Sequence, residues 1–327
     1  MTDTLLILMI LLQPDTYIWL FALAMAIVSV LLFLLCRRKK AWLRLLALLV
    51  AAAGWYVLLY GAFVGVGKLE IRRVELYFSD LPQAFDGYRI VHFSDVHIGS
   101  YTGWREQILR RDIDSINAQN ADLVAFTGDL QNKRPEEIEP YQELLASIKA
   151  KDGVHTVMGN HDYAEYLDVD PVAKEIISHK TMSMEEDIGW KLLLNRHRRI
   201  RRGNDSIVIA GMENDGEGRF PQLGDIAQTL RRLKRQSFVI MLEHDPTAWK
   251  RKILPHSHAQ LTLSGHTHGG QFNFLGWSPA SLRYDEYEGL YRYGNRQLFV
   301  STGLGGVIPI RFGVPGEIVV ITLKCKK

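Results

Sequence analysis

The chain has 327 residues, room for one large domain with an appendage or for two domains, and its 47% hydrophobic and 23% charged content is ordinary for a globular protein. Its formal net charge of +3 lies wholly in the first fifth: residues 1–67 carry five Lys/Arg against two Asp/Glu, whereas residues 68–327 hold 34 of each. A balanced main body excludes a global basic surface for nucleic acid, and two cysteines, Cys36 and Cys325, exclude a disulfide framework.

Met1–Leu12 is apolar and is broken by Pro14 and Asp15; it reads as an interfacial segment or an extension of the helix that follows. Tyr17 to Cys36 is almost continuously apolar, and Trp42 to Val66 is a second such run, interrupted only by Arg44, whose side chain can snorkel. Each approaches or exceeds the ~20 residues that cross a bilayer. Arg37-Arg38-Lys39-Lys40 separates them, and Trp19, Trp42, Trp55, Tyr56 and Tyr60 suit interfacial anchoring. No basic stretch precedes the first run, as a cleaved signal peptide would require. The expectation is a transmembrane hairpin (helices 17–36 and 42–66) within a membrane anchor of residues 1–67, ahead of a domain over 68–327. The basic loop between the spans favours a cytoplasmic turn with the domain outside the cytoplasm, against the opposite pull of Lys68, Arg72 and Arg73.

From Glu70 onward the pattern is α/β. Strands are expected at 88–93, 123–126, 154–158, 206–210, 238–242, 260–263, 298–301 and 317–323, with helices around 104–117 and 138–149. Five of these strands run straight into residues able to bind metal: Asp95 and His97, Asp129, Asn160 and His161, His244, and His266 with His268. In open α/β sheets ligands lie beyond the carboxyl ends of the strands. The pair His266 and His268 would diverge on an extended strand, but the flanking glycines permit a turn that brings both to one point or to neighbouring points. A pair of divalent ions about 3.5–4 Å apart needs a bridging carboxylate and a mixed N/O shell; it acidifies bound water to hydroxide near neutral pH and neutralises a phosphoryl group, while a nearby imidazole protonates the leaving oxygen.

The blocks Ser94-Asp95-Val96-His97, Gly128-Asp129, Gly159-Asn160-His161-Asp162, Glu243-His244 and Gly265-His266-Thr267-His268 resemble, in order, the five signature blocks of the calcineurin-like metallophosphoesterase family. The resemblance spans roughly Ile71 to Leu323 and implies an α/β two-sheet metallophosphoesterase sandwich flanked by helices. It implies two divalent metal ions drawn from Mn, Fe, Zn or Ni: Asp95, His97 and His268 on one, Asn160, His244 and His266 on the other, and Asp129 bridging. His161 would be the proton donor or phosphate contact, with Asp162 supporting it. Gly269-Gly270-Gln271, Gly303-Leu304-Gly305-Gly306 and Pro309-Ile310-Arg311-Phe312 are similar to a membrane-associated bacterial branch, and akin to a membrane-bound UDP-2,3-diacylglucosamine pyrophosphatase of lipid A synthesis. The implied protein is a multi-pass enzyme of the bacterial inner membrane that cleaves a phosphoester substrate, lipid-linked or not, in contact with membrane lipids. The alternatives are a pyrophosphohydrolase of that lipid A type and a catalytically inactive interaction scaffold.

Other residues have plainer readings. His92 is expected to be packed and hydrogen-bonded, and His155, His179, His197, His256 and His258 to lie on the surface. Arg311 is open between a bidentate phosphate contact and a structural ion pair. Gly303–Gly306 is open between an anion contact and a tight turn. The run Arg196–Arg202 is open between a solvated hairpin and contact with lipid headgroups. Arg231–Arg235 and Lys250–Lys252 read as helix faces. Specificity is expected in loops at 163–187 and 272–293.

Overall fold

The computed structural model describes residues 14–326, so Met1–Leu12 lies outside the described residues. Helix α1 (Pro14–Cys36) and helix α2 (Ala41–Phe63) match the two apolar runs, with the basic tetrad in the turn between them. At 1.5 Å per residue, 23 residues span about 35 Å. Both are long and apolar enough to cross a membrane. Neither is a core helix: Trp19, Leu23, Phe33, Leu35, Trp42 and Leu48 are exposed. The pair is joined by Trp55 Nε1 donating to Ser29 Oγ at 3.3 Å.

Chain order then gives β1 (Leu69–Phe78), β2 (Arg89–Phe93), α3 (Glu106–Asn117), β3 (Leu123–Phe126), α4 (Gln142–Ala146), β4 (Val154–Thr156), α5 (Pro171–Asp187), β5 (Lys191–Leu192), β6 (Arg196–Arg202), β7 (Asp205–Gly211), β8 (Phe238–Leu242), β9 (Leu261–Ser264), β10 (Gly289–Tyr293), β11 (Arg296–Val300) and β12 (Gly316–Cys325), with short helical turns between. They form two six-stranded mixed sheets, β1-β12-β2-β3-β4-β5 and β10-β11-β9-β8-β7-β6. In the first, β2 to β5 run parallel, with Phe93 opposite Phe126; in the second, β7, β8, β9 and β11 do.

Alternation along each strand builds the layers. Ile90, Leu123, Ile209, Ile240 and Leu263 fill the space between the sheets. Their neighbours Val91, Phe93, Val124 and Phe126 face outward onto α3 through Leu109, Ile113 and Ile116. On the far side Val208, Val239 and Met241 pack on Trp249 and Ile253. Strands buried on both faces read as continuous apolar runs, which is why they were legible, and each such side chain contributes about 1.5–3 kcal/mol by burial. The fold is the expected two-sheet sandwich flanked by helices.

Several expectations are corrected. The helix expected over 138–149 shrinks to α4 and the single turn Glu139–Tyr141 before it, where Pro140 lacks the amide a longer helix needs. The loop expected at 163–187 contains α5, capped by Asp170 accepting from Ala173 N, with Pro171 in its first turn. The 272–293 loop ends in β10. Arg231–Arg235 lies in turns, not on a helix, and Lys250–Lys252 lies on a helical turn but pairs with Asp215, Asp285 and Glu286. Arg196–Arg202 is the edge strand β6 of a hairpin with β7, at the opposite edge of its sheet from β10, five spacings or about 24 Å away. His155 is buried inside β4, and only His179 and His256 among its group are exposed.

Candidate metal centre

The strands β2, β3, β4, β8 and β9 all deliver their carboxyl ends to one edge of the sandwich, and every expected ligand sits in the segment that follows. Two glycines permit the convergence. A β-carbon at Gly265 would fall 2.2 Å from Asp95 Oδ2, and one at Gly159 2.2 Å from Asp129 Oδ1, so only glycine lets these turns close on the carboxylates.

The side chains meet in two overlapping groups, Asp95, His97, Asp129 and His268, and Asp129, His244 and His266. In the first, His97 Nε2 lies 3.2 Å from His268 Nε2 and 3.5 Å from Asp129 Oδ2, and His268 Nε2 lies 3.4 Å from Asp95 Oδ1. In the second, His244 Nε2 lies 3.2 Å from His266 Nδ1, 3.1 Å from Asn160 Oδ1 and 3.2 Å from Asp129 Oδ2. Donors bound to a small divalent cation at about 2.1 Å, with angles of 90–110°, stand about 3.0–3.4 Å apart. The observed spacings lie in or close to that range, Asp129 Oδ2 is common to both groups, and the donor set fits divalent cations. The whole set is buried in or at the rim of the sandwich.

Electrostatics agree. Burial lowers His97 to about 3, with neighbouring His161 adding, and burial holds His266 and, with His97 beside it, His268 below the ordinary imidazole value. Those rings stay neutral, as metal ligands must. Burial also raises Asp95 to about 6. For Asp129 burial opposes ionisation, but His244 and His161 outweigh it and hold the carboxyl well below its usual value. Burial alone would lower His244; the Asp129 carboxylate outweighs it and raises the ring to about 10. Asp129 and His244 thus stabilise each other's charged forms, which concentrates the charge of the pocket where its two groups meet.

The backbone carries a second mark. Asp95 (φ 52°), His97 (48°), Asp129 (59°), His266 (71°) and His268 (53°) all lie in the left-handed region. Residues with a β-carbon avoid it, at a cost of about 1–2 kcal/mol each, and such outliers gather at functional sites.

His161 joins neither group. Its ring stands edge-on to His97, with centroids 4.7 Å apart. Its Nδ1 lies 2.6 Å from the Asn132 carbonyl, its amide donates to Asp129 Oδ1 at 2.8 Å, and its ring stacks on Tyr166 at 4.1 Å. Asp162 supports it differently from the expectation. The Asp162 carboxylate accepts from the amides of Asp129 (2.8 Å), Gly159 (2.9 Å), Leu130 (3.0 Å) and Gln131 (3.3 Å), clamping the Asp129 and Asn160 turns together, and none of these bonds reaches the His161 ring.

Sequence reasoning missed the residues that aim the ligands. Tyr166 accepts from Asn160 Nδ2 at 2.7 Å, leaving Oδ1 toward His244. His266 Nε2 faces Tyr284 OH at 3.1 Å and Asp245 at 3.5 Å. Asp245, directly after His244, was the one with a sequence signal. Arg311 is neither a phosphate contact nor an ion pair. It is fully buried and donates to the carbonyls of Thr302, Gly303, Gly305, Val314 and Pro315, and Gly305 O in turn holds His268 Nδ1 at 3.2 Å. The Gly303–Gly306 turn is likewise structural, since the amides of Leu304 and Gly305 bond Ser94 O and Asp95 O. His92 is packed as expected, at 2.9 Å from Thr127 Oγ1.

Residues 88–270 match the family model for calcineurin-like phosphoesterases. The chain belongs to that family, whose members are metal-dependent phosphoester hydrolases. An uncharacterized metallophosphoesterase of Bacillus subtilis is 32% identical over 81% of this chain and 89% of its own. A transmembrane protein with a metallophosphoesterase domain from Danio rerio is 30% identical over 85% of this chain, which spans 62% of that longer protein. Among solved structures, a phosphopantetheinyl hydrolase from Mycobacterium tuberculosis is 14% identical, with a TM-score of 0.43 over 66% of this chain and 89% of its own.

Proposed function

We propose that the chain is a membrane-anchored phosphoester hydrolase with a dinuclear metal centre. Asp95, His97 and His268 would hold one divalent cation and Asn160, His244 and His266 the other, with Asp129 shared between them; Mn, Fe, Zn and Ni all suit this donor set. When bound, the pair supplies Lewis acidity that acidifies water and neutralises phosphoryl charge. The observation that carries this reading is the single oxygen, Asp129 Oδ2, placed 3.5 Å from His97 Nε2 and 3.2 Å from His244 Nε2.

The chain's own groups do the rest. With Nδ1 committed to the Asn132 carbonyl, His161 has Nε2 left to give a proton to the leaving oxygen as the phosphorus–oxygen bond breaks, and Tyr166 holds the plane of the ring. Asp162 positions the turns and touches no reacting atom. Elemental analysis with a panel of phosphomonoesters, diesters and pyrophosphates tests the reading: two metal equivalents with turnover support it, and no hydrolysis across the panel with Mn²⁺ supplied rejects it. His161→Ala should lower turnover by about 10²–10⁴-fold with both metals retained. If the metals leave with the ring, His161 is a ligand and not a proton donor.

Residues 1–67 form the anchor and 68–327 the catalytic domain. α1 and α2 cross the bilayer as a hairpin, with the Arg37–Lys40 turn in the cytoplasm and the domain on the other side. The exposed apolar faces of both helices support the crossing, and the basic turn between them the side. With Cys36 and Cys325 both replaced by serine, an impermeant maleimide applied to intact cells should label Asn295→Cys and not Lys39→Cys; the reverse pattern inverts the topology.

A further inference from the structure

We propose that the substrate is a membrane lipid: an amphiphilic phosphoester whose hydrocarbon chain lies in a groove between the helical hairpin and the catalytic domain while its phosphate reaches the metal centre. This rests on the phosphoester-hydrolase reading and names its substrate class.

The groove measures about 560 Å³, within the 300–1,000 Å³ usual for small-molecule sites. One wall is helical, with Phe21 and Met25 on α1 and Val57 on α2. The other is built by Phe272, Ile310 and Phe312 of the domain. Its one polar side chain among the described residues, Gln271, donates its amide nitrogen to the carbonyls of Ile308 and Ile310, at 2.9 and 3.0 Å. A polar ligand would be desolvated there without a partner, whereas a hydrocarbon chain loses nothing. The helical wall belongs to segments apolar enough to lie in a bilayer, so the groove opens onto acyl chains.

The domain wall is also the metal centre's own loop. Gln271 is three residues past His268, so their α-carbons lie within about 11 Å. Phe312 N bonds Gln271 O at 2.9 Å, Arg311 N bonds Gly61 O of α2 at 3.1 Å, and the Arg311 guanidinium bonds Gly305 O, against which His268 rests. Hairpin, groove wall and ligand loop are one connected piece.

A second observation points the same way. Two residues past Phe272 the chain makes a tight turn, Phe274 and Trp277 exchanging backbone bonds of 2.9 and 3.0 Å. Leu275 at its tip is left-handed (φ 52°) and 91% exposed, flanked by exposed Phe274 and Trp277. Such positions favour Asn or Gly; a leucine flanked by two aromatics is an apolar tip suited to the bilayer surface.

The test uses the full-length chain in detergent with Mn²⁺ and two pairs of soluble esters: ethyl against octyl phosphate, and the methyl against the octyl diester of nitrophenyl phosphate. A methylene taken from water adds up to about fourfold, so the octyl member of the hydrolysed pair should show at least a tenfold higher kcat/KM. Ala53→Phe and Val57→Trp, which add bulk to the helical wall of the groove, should bring that ratio close to 1. A wild-type ratio near 1, or a ratio unchanged in both variants, overturns the proposal. Hydrolysis of neither pair, nor of the pyrophosphates in the panel above, overturns the phosphoester reading instead. The groove is then decided by photolabelling wild-type protein in phosphatidylcholine vesicles with a phosphatidylglycerol bearing an acyl-chain diazirine. Labels at Phe272 and Ile310 support it. Labels confined to the outer faces of α1 and α2 overturn it.

Discussion

The two halves of the metal cluster hold their side chains by different means. In the first, Asp95, His97 and His268 are all left-handed, so the backbone itself turns each side chain inward. In the second, Asn160 and His244 keep ordinary backbone and are aimed by partners: Asn160 by Tyr166, His244 by the Thr127 carbonyl at 2.7 Å from its Nδ1. His266 combines both devices, and the shared Asp129 is left-handed as well. At about 1–2 kcal/mol per residue, strain in the first half and the bridge amounts to about 4–8 kcal/mol, comparable with the net stability of a whole domain. It persists because the turns are pinned from several sides, by Asp162 on four amides and by the close approach of Gly265 to Asp95.

The bridge is where the halves are joined, so its change has the largest expected effect. Asp129→Asn keeps the shape and the hydrogen-bond acceptor but removes the charge that two cations would share. Turnover should fall by about three orders of magnitude or more, and metal content from two equivalents to one or none. Full activity with two bound metals would show that the halves are separate sites and that Asp129 bridges nothing.

A smaller change separates the halves. Tyr166→Phe keeps a ring for His161 to stack on but removes the oxygen that orients Asn160. Losing such an outer partner typically costs 10–100-fold in metal affinity. A metal titration should show one of two binding steps weakened by about that factor and the other unmoved. Equal weakening of both would mean that the halves are not aimed independently.

How much of this was legible in the sequence follows from how far apart the cooperating residues lie. The clustered residues were readable because Asp95, Asp129 and His244 come straight after strands that are otherwise apolar, and polar donors in such places have no packing reason to be there. The sandwich was readable for the same reason. The aiming residues were not: Tyr284 lies 18 residues from His266, and nothing local distinguishes Tyr166 or Asn132 from a solvated loop. Arg311 misled because a lone arginine suggests an anion, whereas this one spends its donors on backbone carbonyls. α5 was missed because its apolar residues do not keep to one face, although Asp170-Pro171 was a start signal in plain view. The groove needs four stretches, the two helical ones more than two hundred residues before the two in the domain, and no pattern within one stretch announces it.

The smallest prediction concerns the backbone alone. In metal-free full-length protein, His97→Gly and His97→Ala both lose the imidazole, so their difference reports only the conformation required at that position. Left-handed backbone favours glycine, and the glycine variant should be the more stable by about 1 kcal/mol in urea denaturation. At His244, where the backbone is ordinary, the sign reverses: glycine costs more conformational entropy, and alanine should be the more stable by about 0.5–1 kcal/mol. Opposite signs at two ligands less than a nanometre apart would follow only if one half of the centre is aimed by its main chain and the other by its neighbours. The same sign at both positions would leave the strain in the first half without the role assigned to it.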